Sequence, residues 1–300
     1  MEFVKRVVRL KETKPQLSPL ERTGDPQVVA SSFVDLHATK EFKPIKAPRA
    51  SSLYKACMRK HVIGTVLKLS EPDYAGGVRS KLIYGIGNSV HYWLQNSPDV
   101  FGNARVGWWK CQACGTVRYF GLPRNTACKK CGAKPEATIY YEHGISLTKP
   151  YIMTGHPDMF FKIVPTDAQA VIRGAELKTM EGEAFDSLVA PLIEHVWQSQ
   201  TYMWACAYDK KLPVKVDKNV WLIFYITKRG RAKEFPLKCF PIVRDTLLIK
   251  RITDKLDSYQ KGLVNYPKNL PAPAVTCSRK NFTCWEAKSC VALDECRRNL

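Results

Sequence analysis

Two closely spaced cysteine pairs constrain the fold of this chain more than any other feature of its sequence. Cys111 and Cys114 form one pair, Cys128 and Cys131 form the other, and a glycine follows each pair. Two such knuckles present four thiolates in the tetrahedral arrangement that Zn²⁺ prefers. Residues 107–135 are too few to bury a core, so bound metal would supply the folding energy of this segment. We predict a zinc ribbon inserted at residues 107–135; the alternative is a pair of disulfides.

The N-terminus favours a reducing compartment, and in such a compartment the cysteines would bind metal. The first ten residues, MEFVKRVVRL, lack the apolar core and cleavage site of a signal peptide. The longest apolar run, residues 220–226, is the length of a buried strand and too short to span a bilayer. In a cytoplasmic protein, 11 cysteines indicate metal binding rather than disulfides. We therefore expect a cytoplasmic protein with no membrane partner.

The charge balance indicates a polyanionic partner. The chain carries 47 Lys and Arg against 27 Asp and Glu, a formal net charge of +20. Such an excess favours nucleic acid, because each neutralised phosphate releases counterions. The alternative is a merely soluble basic protein. A membrane-surface protein would carry a basic amphipathic helix, and none stands out in the sequence.

The hydrophobic periodicity predicts a mixed α/β fold. Helices are expected over residues 51–67, 80–95, 193–208 and 242–263, and strands over 151–153, 159–163, 171–179 and 220–227, the last with a partner strand ending near residue 237. This order favours a central mixed sheet with helices packed on it. The predicted parts are a basic N-terminal extension (1–48), the N-terminal helical part of the main domain (49–106), the ribbon insert (107–135), the main core (136–270) and a C-terminal cysteine segment (271–300).

Four scattered side chains form a candidate metal centre. Glu176 and Lys178 are two residues apart on a predicted strand, so they share a face while Leu177 points into the core. Asp158 opens the neighbouring strand, so its carboxylate can approach Glu176. These two carboxylates and His91 suit Mg²⁺ or Mn²⁺. Taken singly, each has an ordinary explanation: an acid-x-base triplet on an exposed strand, a turn aspartate and a helix histidine.

In their order these residues resemble the motif series of RecB-like PD-(D/E)XK nucleases. The series is Gly87-x-x-x-His91, Gly155-His156-Pro157-Asp158, Glu176-Leu177-Lys178 and Gln198-x-x-x-Tyr202. The family includes CRISPR-associated adaptation nucleases, AddB-type subunits and phage exonucleases, and the resemblance covers about residues 50–300 without the insert. It implies a restriction-endonuclease-like sheet with His91, Asp158, Glu176 and the carbonyl of Leu177 as metal ligands, and Lys178 as the catalytic lysine.

The last motif of the series lies on a predicted helix. Gln198 and Tyr202 are four residues apart and therefore share a helix face. The resemblance implies that both line the DNA path near the reacting phosphate. The alternative for Tyr202 is a core aromatic beside Trp197 and Trp204.

The resemblance also implies a second cysteine site. Related nucleases hold a 4Fe–4S cluster through one cysteine before the nuclease core and three after it. Cys57 matches the first position, and Cys290 and Cys296 match the final spacing. Residue 287 is Ala where the family has cysteine, so Cys284 is the preferred third tail ligand and Cys277 its substitute. The alternative is a zinc site that uses the four tail cysteines and leaves Cys57 free; spacing alone does not separate the two.

Aromatic and basic residues surround the ribbon cysteines. They are Trp108, Trp109, Arg118, Tyr119, Phe120, Arg124, Lys129 and Lys130. Such a mixture suits stacking on single-stranded bases. The alternative is that some of these aromatics only pack the ribbon against the main core.

Together these observations predict a divalent-metal-dependent DNA nuclease. We expect an exonuclease acting on single-stranded or frayed ends in recombination, repair or replication, with proteins of those processes as partners. Its compact organisation suits a phage or prokaryotic host. The competing hypothesis is a catalytically inactive nucleic-acid-binding adaptor that acts through the ribbon and the basic surface. Intact Asp158, Glu176 and Lys178 argue against that hypothesis.

Overall fold

The computed structural model describes residues 42–72, 78–121, 127–164, 169–228, 236–275, 277 and 290–299. The chain divides into two compact units. The larger unit comprises Lys43–Glu71 and Gly85–Leu300, and the smaller comprises Met1–Phe42 and Pro72–Tyr84. Most of the predicted basic extension (residues 1–41), Arg124 and Cys284 lie outside the described residues.

The described part of the chain contains both helices and strands, with a run of consecutive strands in its middle. The helices are α1 (Met58–Val66), α2 (Val78–Asn96), α3 (Pro98–Phe101), α4 (Gly182–Asp186), α5 (Ile193–Cys206), α6 (Thr246–Val264) and α7 (Leu293–Arg298). The strands are β1 (Phe42–Pro44), β2 (Ser70–Pro72), β3 (Arg105–Cys111), β4 (Val117–Gly121), β5 (Thr138–Tyr141), β6 (Ile145–Leu147), β7 (Met153–Gly155), β8 (Met159–Ile163), β9 (Val171–Met180), β10 (Val220–Thr227) and β11 (Leu237–Val243). Within the described ranges, every helix is too short or too polar to cross a bilayer.

A mixed sheet forms the centre of the larger unit. In the described part of the chain, its strand order is β11-β10-β9-β8-β3-β4, and β5 also pairs with β3. Strands β9 and β10 are parallel, whereas the other pairs are antiparallel. Short pairs β1–β2 and β6–β7 lie outside this sheet. The predicted mixed α/β fold with a helix-flanked central sheet is confirmed.

Apolar side chains cover both faces of the sheet. On one face, Trp221, Ile223 and Tyr225 of β10 belong to the same buried cluster as residues of α1, α5 and α6. On the other face, Leu177 and Phe224 pack in a second cluster with Leu94 of α2. The alternation along β10 reflects the two-residue period of a strand. Adjacent residues of β9 therefore lie in different environments. The polar side chains on one face of β9 lie beneath α5.

Several element boundaries differ from the sequence-based prediction. Helix α1 begins at Met58, after Cys57, whereas the sequence suggested a helix from residue 51. Lys255 Nζ donates to the carbonyls of Leu53, Tyr54 and Ala56, and this tertiary contact holds the preceding segment in a turn. The prediction that β10's partner ends near Leu237 was wrong, because β11 begins there.

Candidate active site and cysteine clusters

Strand β9 presents an acid and a base on one face. Glu176 and Lys178 pair with Ile223 and Tyr225 of β10, and Lys178 Nζ donates to Glu176 Oε2 at 3.1 Å. Leu177 points to the opposite face and is fully buried. The two-residue period of the strand thus produces the predicted arrangement.

Asp158 and His91 complete this cluster from two other elements. Asp158 directly precedes β8, and its Oδ2 accepts a hydrogen bond from the Leu177 N–H at 2.7 Å. Its Oδ1 lies 4.0 Å from Nδ1 of His91, which comes from α2. The His91 ring also hydrogen-bonds to the backbone of Leu177. The structure therefore places His91, Asp158, Glu176 and Lys178 in one neighbourhood.

Two acidic side chains at this centre, Asp158 and Glu176, face one basic side chain, Lys178. Burial, and next the charge of Asp158, raise the pKa of Glu176 well above its usual value. Burial alone would lower the pKa of Lys178, but Glu176 and Asp158 outweigh it and raise that pKa. Glu176 is 0% exposed, and its Oε1 has no hydrogen-bond partner among the described residues. A buried carboxylate oxygen without a partner is costly unless a proton or a cation neutralises it.

The donor set fits a hard divalent cation. Two carboxylates, an imidazole and the Leu177 backbone lie near one another, and oxygen ligands are those preferred by Mg²⁺ and Mn²⁺. Among the described residues, the ribbon cysteines bring their ligand atoms within 4.8 Å of one another, whereas His91, Asp158 and Glu176 are less tightly grouped. The free Oε1 of Glu176 is available to such an ion. Burial lowers the pKa of His91, which favours the neutral imidazole that ligates metal.

Glu142 is a further acid at this centre that sequence reasoning missed. It follows β5, and its Oε1 accepts a hydrogen bond at 2.9 Å from Gln95 Nε2, which also donates to the Asp158 carbonyl at 2.9 Å. Burial, and also the charge of Asp158, raise the pKa of Glu142. Gln95 lies four residues after His91 on α2, so the two side chains share a helix face. In the sequence, Glu142 is distinguished only by its position directly after the tyrosine-containing strand Thr138–Tyr141.

Gln198 and Tyr202 lie on α5 beneath the turn that carries Asp158. Tyr202 is 1% exposed and stacks on Trp221 with ring centroids 5.7 Å apart. Its hydroxyl accepts from the His156 N–H at 3.1 Å and donates to the His156 carbonyl at 3.0 Å. Gln198 is also buried and hydrogen-bonds to Tyr202. This placement agrees with the core-aromatic alternative for Tyr202 and makes it a support of the turn.

The close approach of the Tyr202 ring requires a glycine at position 155 of this turn. A Cβ at Gly155 would lie 2.6 Å from Cε1 of Tyr202, well inside van der Waals contact. The Gly155 position therefore allows the turn to lie against the Tyr202 ring.

Tyr202→Phe is expected to destabilise the protein by about 1–3 kcal/mol, because two backbone groups of His156 lose a partner in a partly buried setting. Thermal or urea unfolding measures this loss. Tyr208→Phe is the matched control, since Tyr208 lies near the end of the same helix with its side chain largely exposed. Equal stability of the Tyr202 and Tyr208 variants would contradict the supporting role.

The four cysteines of the predicted ribbon converge on one point. Their ligand atoms all lie within 4.8 Å of one another, so the group could hold a metal ion. Sγ of Cys111 lies 3.7 Å from that of Cys131, and Sγ of Cys114 lies 3.8 Å from that of Cys128. These separations exceed a disulfide bond of about 2.05 Å. Backbone N–H groups of Cys131 and Lys130 lower the pKa of Cys128 to about 6, which favours a thiolate ligand.

The aromatics at the base of the ribbon pack inward. Trp109 is 6% exposed and makes an edge contact with Tyr140 at 5.4 Å. Trp108 Nε1 donates to Nδ1 of His143 at 3.1 Å. For these two residues the packing alternative holds. The side chains of Arg118, Tyr119 and Phe120 lie outside the described ones, whereas Lys129 and Lys130 are exposed.

Cysteines from both ends of the chain approach one another. The charges of Cys57 and Cys296 both act on Cys290, and that of Cys57 acts on Cys296. Cys277 packs near Cys296. Arg59 Nε donates to Sγ of Cys296 at 3.1 Å, and its other nitrogens donate to the carbonyls of Pro271, Cys296 and Asn299. The first helix and the tail are thus joined here.

Comparison with known proteins gives limited matches. No protein-family model matches the chain, and no curated protein matches it. Among solved structures, it is similar to an alkaline exonuclease from Laribacter hongkongensis, with 14% identity and a TM-score of 0.39 over 78% of this chain and 92% of that one. The structure of that exonuclease in complex with dAMP matches with 14% identity and a TM-score of 0.39, over 74% of this chain and 89% of that one.

Proposed function

We propose that this chain is a divalent-metal-dependent DNA nuclease, with its reaction centre at Asp158, Glu176 and Lys178. The observation that carries the proposal is the buried Oε1 of Glu176, which lacks a partner among the described residues while a second carboxylate and an imidazole lie beside it. Such a group holds a cation more readily than it stabilises a fold.

Each side chain has a distinct task in phosphodiester hydrolysis. Asp158, Glu176, His91 and the Leu177 carbonyl would hold Mg²⁺ or Mn²⁺, which polarises a phosphate oxygen and activates water. Lys178 remains protonated, so its ammonium can orient that water and offset charge on the phosphate. Glu142, held by Gln95, places a further carboxyl group beside the ligands.

The substrate proposed is DNA with single-stranded or frayed ends. The net charge of +20 favours a phosphate backbone, and a partly buried centre suits a strand that can be threaded into it. We expect exonucleolytic cleavage for recombination, repair or replication.

The test is digestion of end-labelled single-stranded and duplex DNA with Mg²⁺, with Mn²⁺ and with chelator. Cleavage that requires the added metal is the expected result. Tight, salt-sensitive DNA binding without cleavage under any metal would instead support the inactive-adaptor hypothesis.

The cysteines are proposed to bind two structural cofactors. Cys111, Cys114, Cys128 and Cys131 would hold Zn²⁺. Cys57, Cys290 and Cys296, with Cys284 or its substitute Cys277, would hold a 4Fe–4S cluster that fastens the first helix to the tail. The electrostatic effects of Cys57 and Cys296 on Cys290, and of Cys57 on Cys296, support their grouping.

A spectrum of freshly purified protein distinguishes iron from zinc at the tail. An iron–sulfur cluster is expected to give a broad shoulder near ~400 nm, with about four iron atoms per chain. Cys57→Ser should remove the shoulder, whereas Cys239→Ser, at an exposed cysteine of β11, should not. Two zinc atoms per chain and no iron would support the zinc alternative for the tail.

A further inference from the structure

A hydrogen-bond chain beside the candidate centre fixes the tautomer of His195. The Leu192 N–H donates to the Tyr225 hydroxyl at 3.0 Å, and that hydroxyl lies 2.7 Å from Nδ1 of His195. Tyr225 is 0% exposed, so its proton needs an acceptor inside the protein. Nδ1 is the acceptor recorded for it among the described residues. Because Nδ1 therefore accepts, the ring proton of neutral His195 lies on Nε2.

The surroundings of His195 keep the ring neutral. Burial, and next the positive charge of Lys178, lower the pKa of His195 to about 4. Glu194 acts in the opposite direction, whereas Lys55 adds to the lowering. His195 also lies in the first turn of α5, where the helix dipole disfavours a further positive charge. At neutral pH the imidazole is a hydrogen-bond donor through Nε2 and carries no charge.

The His195 ring lies within electrostatic reach of the candidate catalytic lysine. Tyr225, which orients His195, is the direct partner of Lys178 across the parallel strands β10 and β9. Lys178 in turn contacts Glu176. His195 is only partly buried, and no partner for its Nε2 is recorded in the described part of the chain. An oriented, accessible N–H beside a protonated lysine is an arrangement that binds a phosphate oxygen.

We propose that His195 is a further substrate-contacting residue, whose Nε2–H donates a hydrogen bond to a phosphate oxygen of the DNA strand at the Lys178 centre. The inference rests on the proposed nuclease function. Tyr225 is then a positioning residue, because its hydroxyl fixes the tautomer and the ring orientation. His195 acts as a donor without giving up its proton.

The main test compares His195→Phe with the full-length wild-type chain. Phenylalanine keeps an aromatic ring but removes the donor, so kcat/KM should fall by about tenfold to about 10²-fold with unchanged metal dependence. His195→Gln retains an N–H and should lose less. Tyr225→Phe should also lower activity, and it serves as the second variant if His195→Phe fails to fold. His61→Phe, at a histidine of α1, is the matched control and should leave the rate unchanged.

Two further readouts separate phosphate contact from a structural or acid role. Substrates with single methylphosphonate linkages lack a charged phosphate oxygen at one position. One such substitution should slow the wild type but not slow His195→Phe further, since the contact is already lost. The rate ratio of wild type to His195→Phe should also stay constant between about pH 6 and about pH 9, because the ring is neutral throughout.

The outcomes distinguish this inference from the function on which it rests. Wild-type cleavage with undiminished rates in both His195→Phe and Tyr225→Phe would overturn the role of His195 and leave the nuclease proposal standing. A rate ratio that declines with rising pH would indicate a protonated acid and also overturn the inference. Absence of wild-type cleavage would remove the nuclease proposal and the role of His195 with it.

Discussion

Replacing Lys178 with alanine is expected to slow metal-dependent DNA cleavage by about 10²- to about 10³-fold, because the centre loses its positive charge beside the reacting phosphate. The raised pKa of Lys178 keeps this charge present at neutral pH. Initial rates on end-labelled DNA at saturating metal measure the effect. Glu176→Gln, which keeps the side-chain volume, should lose activity to at least the same extent through weakened metal binding.

The matched control for this experiment is Lys162→Ala. Lys162 lies on the neighbouring strand β8 with an exposed side chain, so its removal changes net charge equally without touching the centre. Thermal unfolding of all variants shows whether they remain folded. Full activity in Lys178→Ala would refute the assigned reaction centre.

Cys128→Ser is expected to release the ribbon metal and to unfold the segment around residues 112–135. Metal analysis of the purified wild type should give one zinc per chain at this site. Structural zinc contributes about 10–16 kcal/mol in small zinc-binding units, which is far more than so short a segment gains from packing. Limited proteolysis of Cys128→Ser should therefore cut within the ribbon while the main sheet stays intact.

Cys206→Ser serves as the control for the ribbon experiment, because Cys206 lies on α5 away from the four ribbon thiols. It should retain the zinc and the protease resistance of the wild type. A ribbon that stays protected in Cys128→Ser, or a wild-type protein without zinc, would count against a structural zinc site.

The sequence predicts best where a local period decides the structure. The alternation at Glu176, Leu177 and Lys178 follows from strand geometry alone, and β9 and β10 occupy the expected residues. The proximity of His91, Asp158, Glu176 and Lys178 could be anticipated because each of them lies at a defined point of a strand or helix. Glu142 could not, since its position depends on the path of the chain after the ribbon.

The error at β11 has a specific physical cause. Pro241 lies within β11 and weakens the strand pattern of this segment, because proline cannot donate a ladder hydrogen bond. The structure places β11 at the edge of the sheet, where proline is tolerated. The following helix then begins at Thr246, and the Asp245 side chain accepts from the N–H groups of Leu247 and Leu248. That cap was the available signal for the helix start.

Tertiary contacts explain other differences. Cys239 is exposed on the edge strand, whereas Cys206 on α5 is partly buried. Edge exposure depends on sheet order, which a single sequence does not encode locally.

The strand shared by the ribbon and the main sheet limits how this molecule could be shortened. Arg105 and Val106 of β3 pair with β8, the strand that follows Asp158, whereas Cys111 at its far end belongs to the thiol group. Removing residues 107–135 as one block would also remove Trp109 from the second apolar cluster. It would change the path by which the chain reaches Glu142 as well. A minimal version of the protein would therefore have to keep β3 and β5 whole and rejoin them with a designed hairpin.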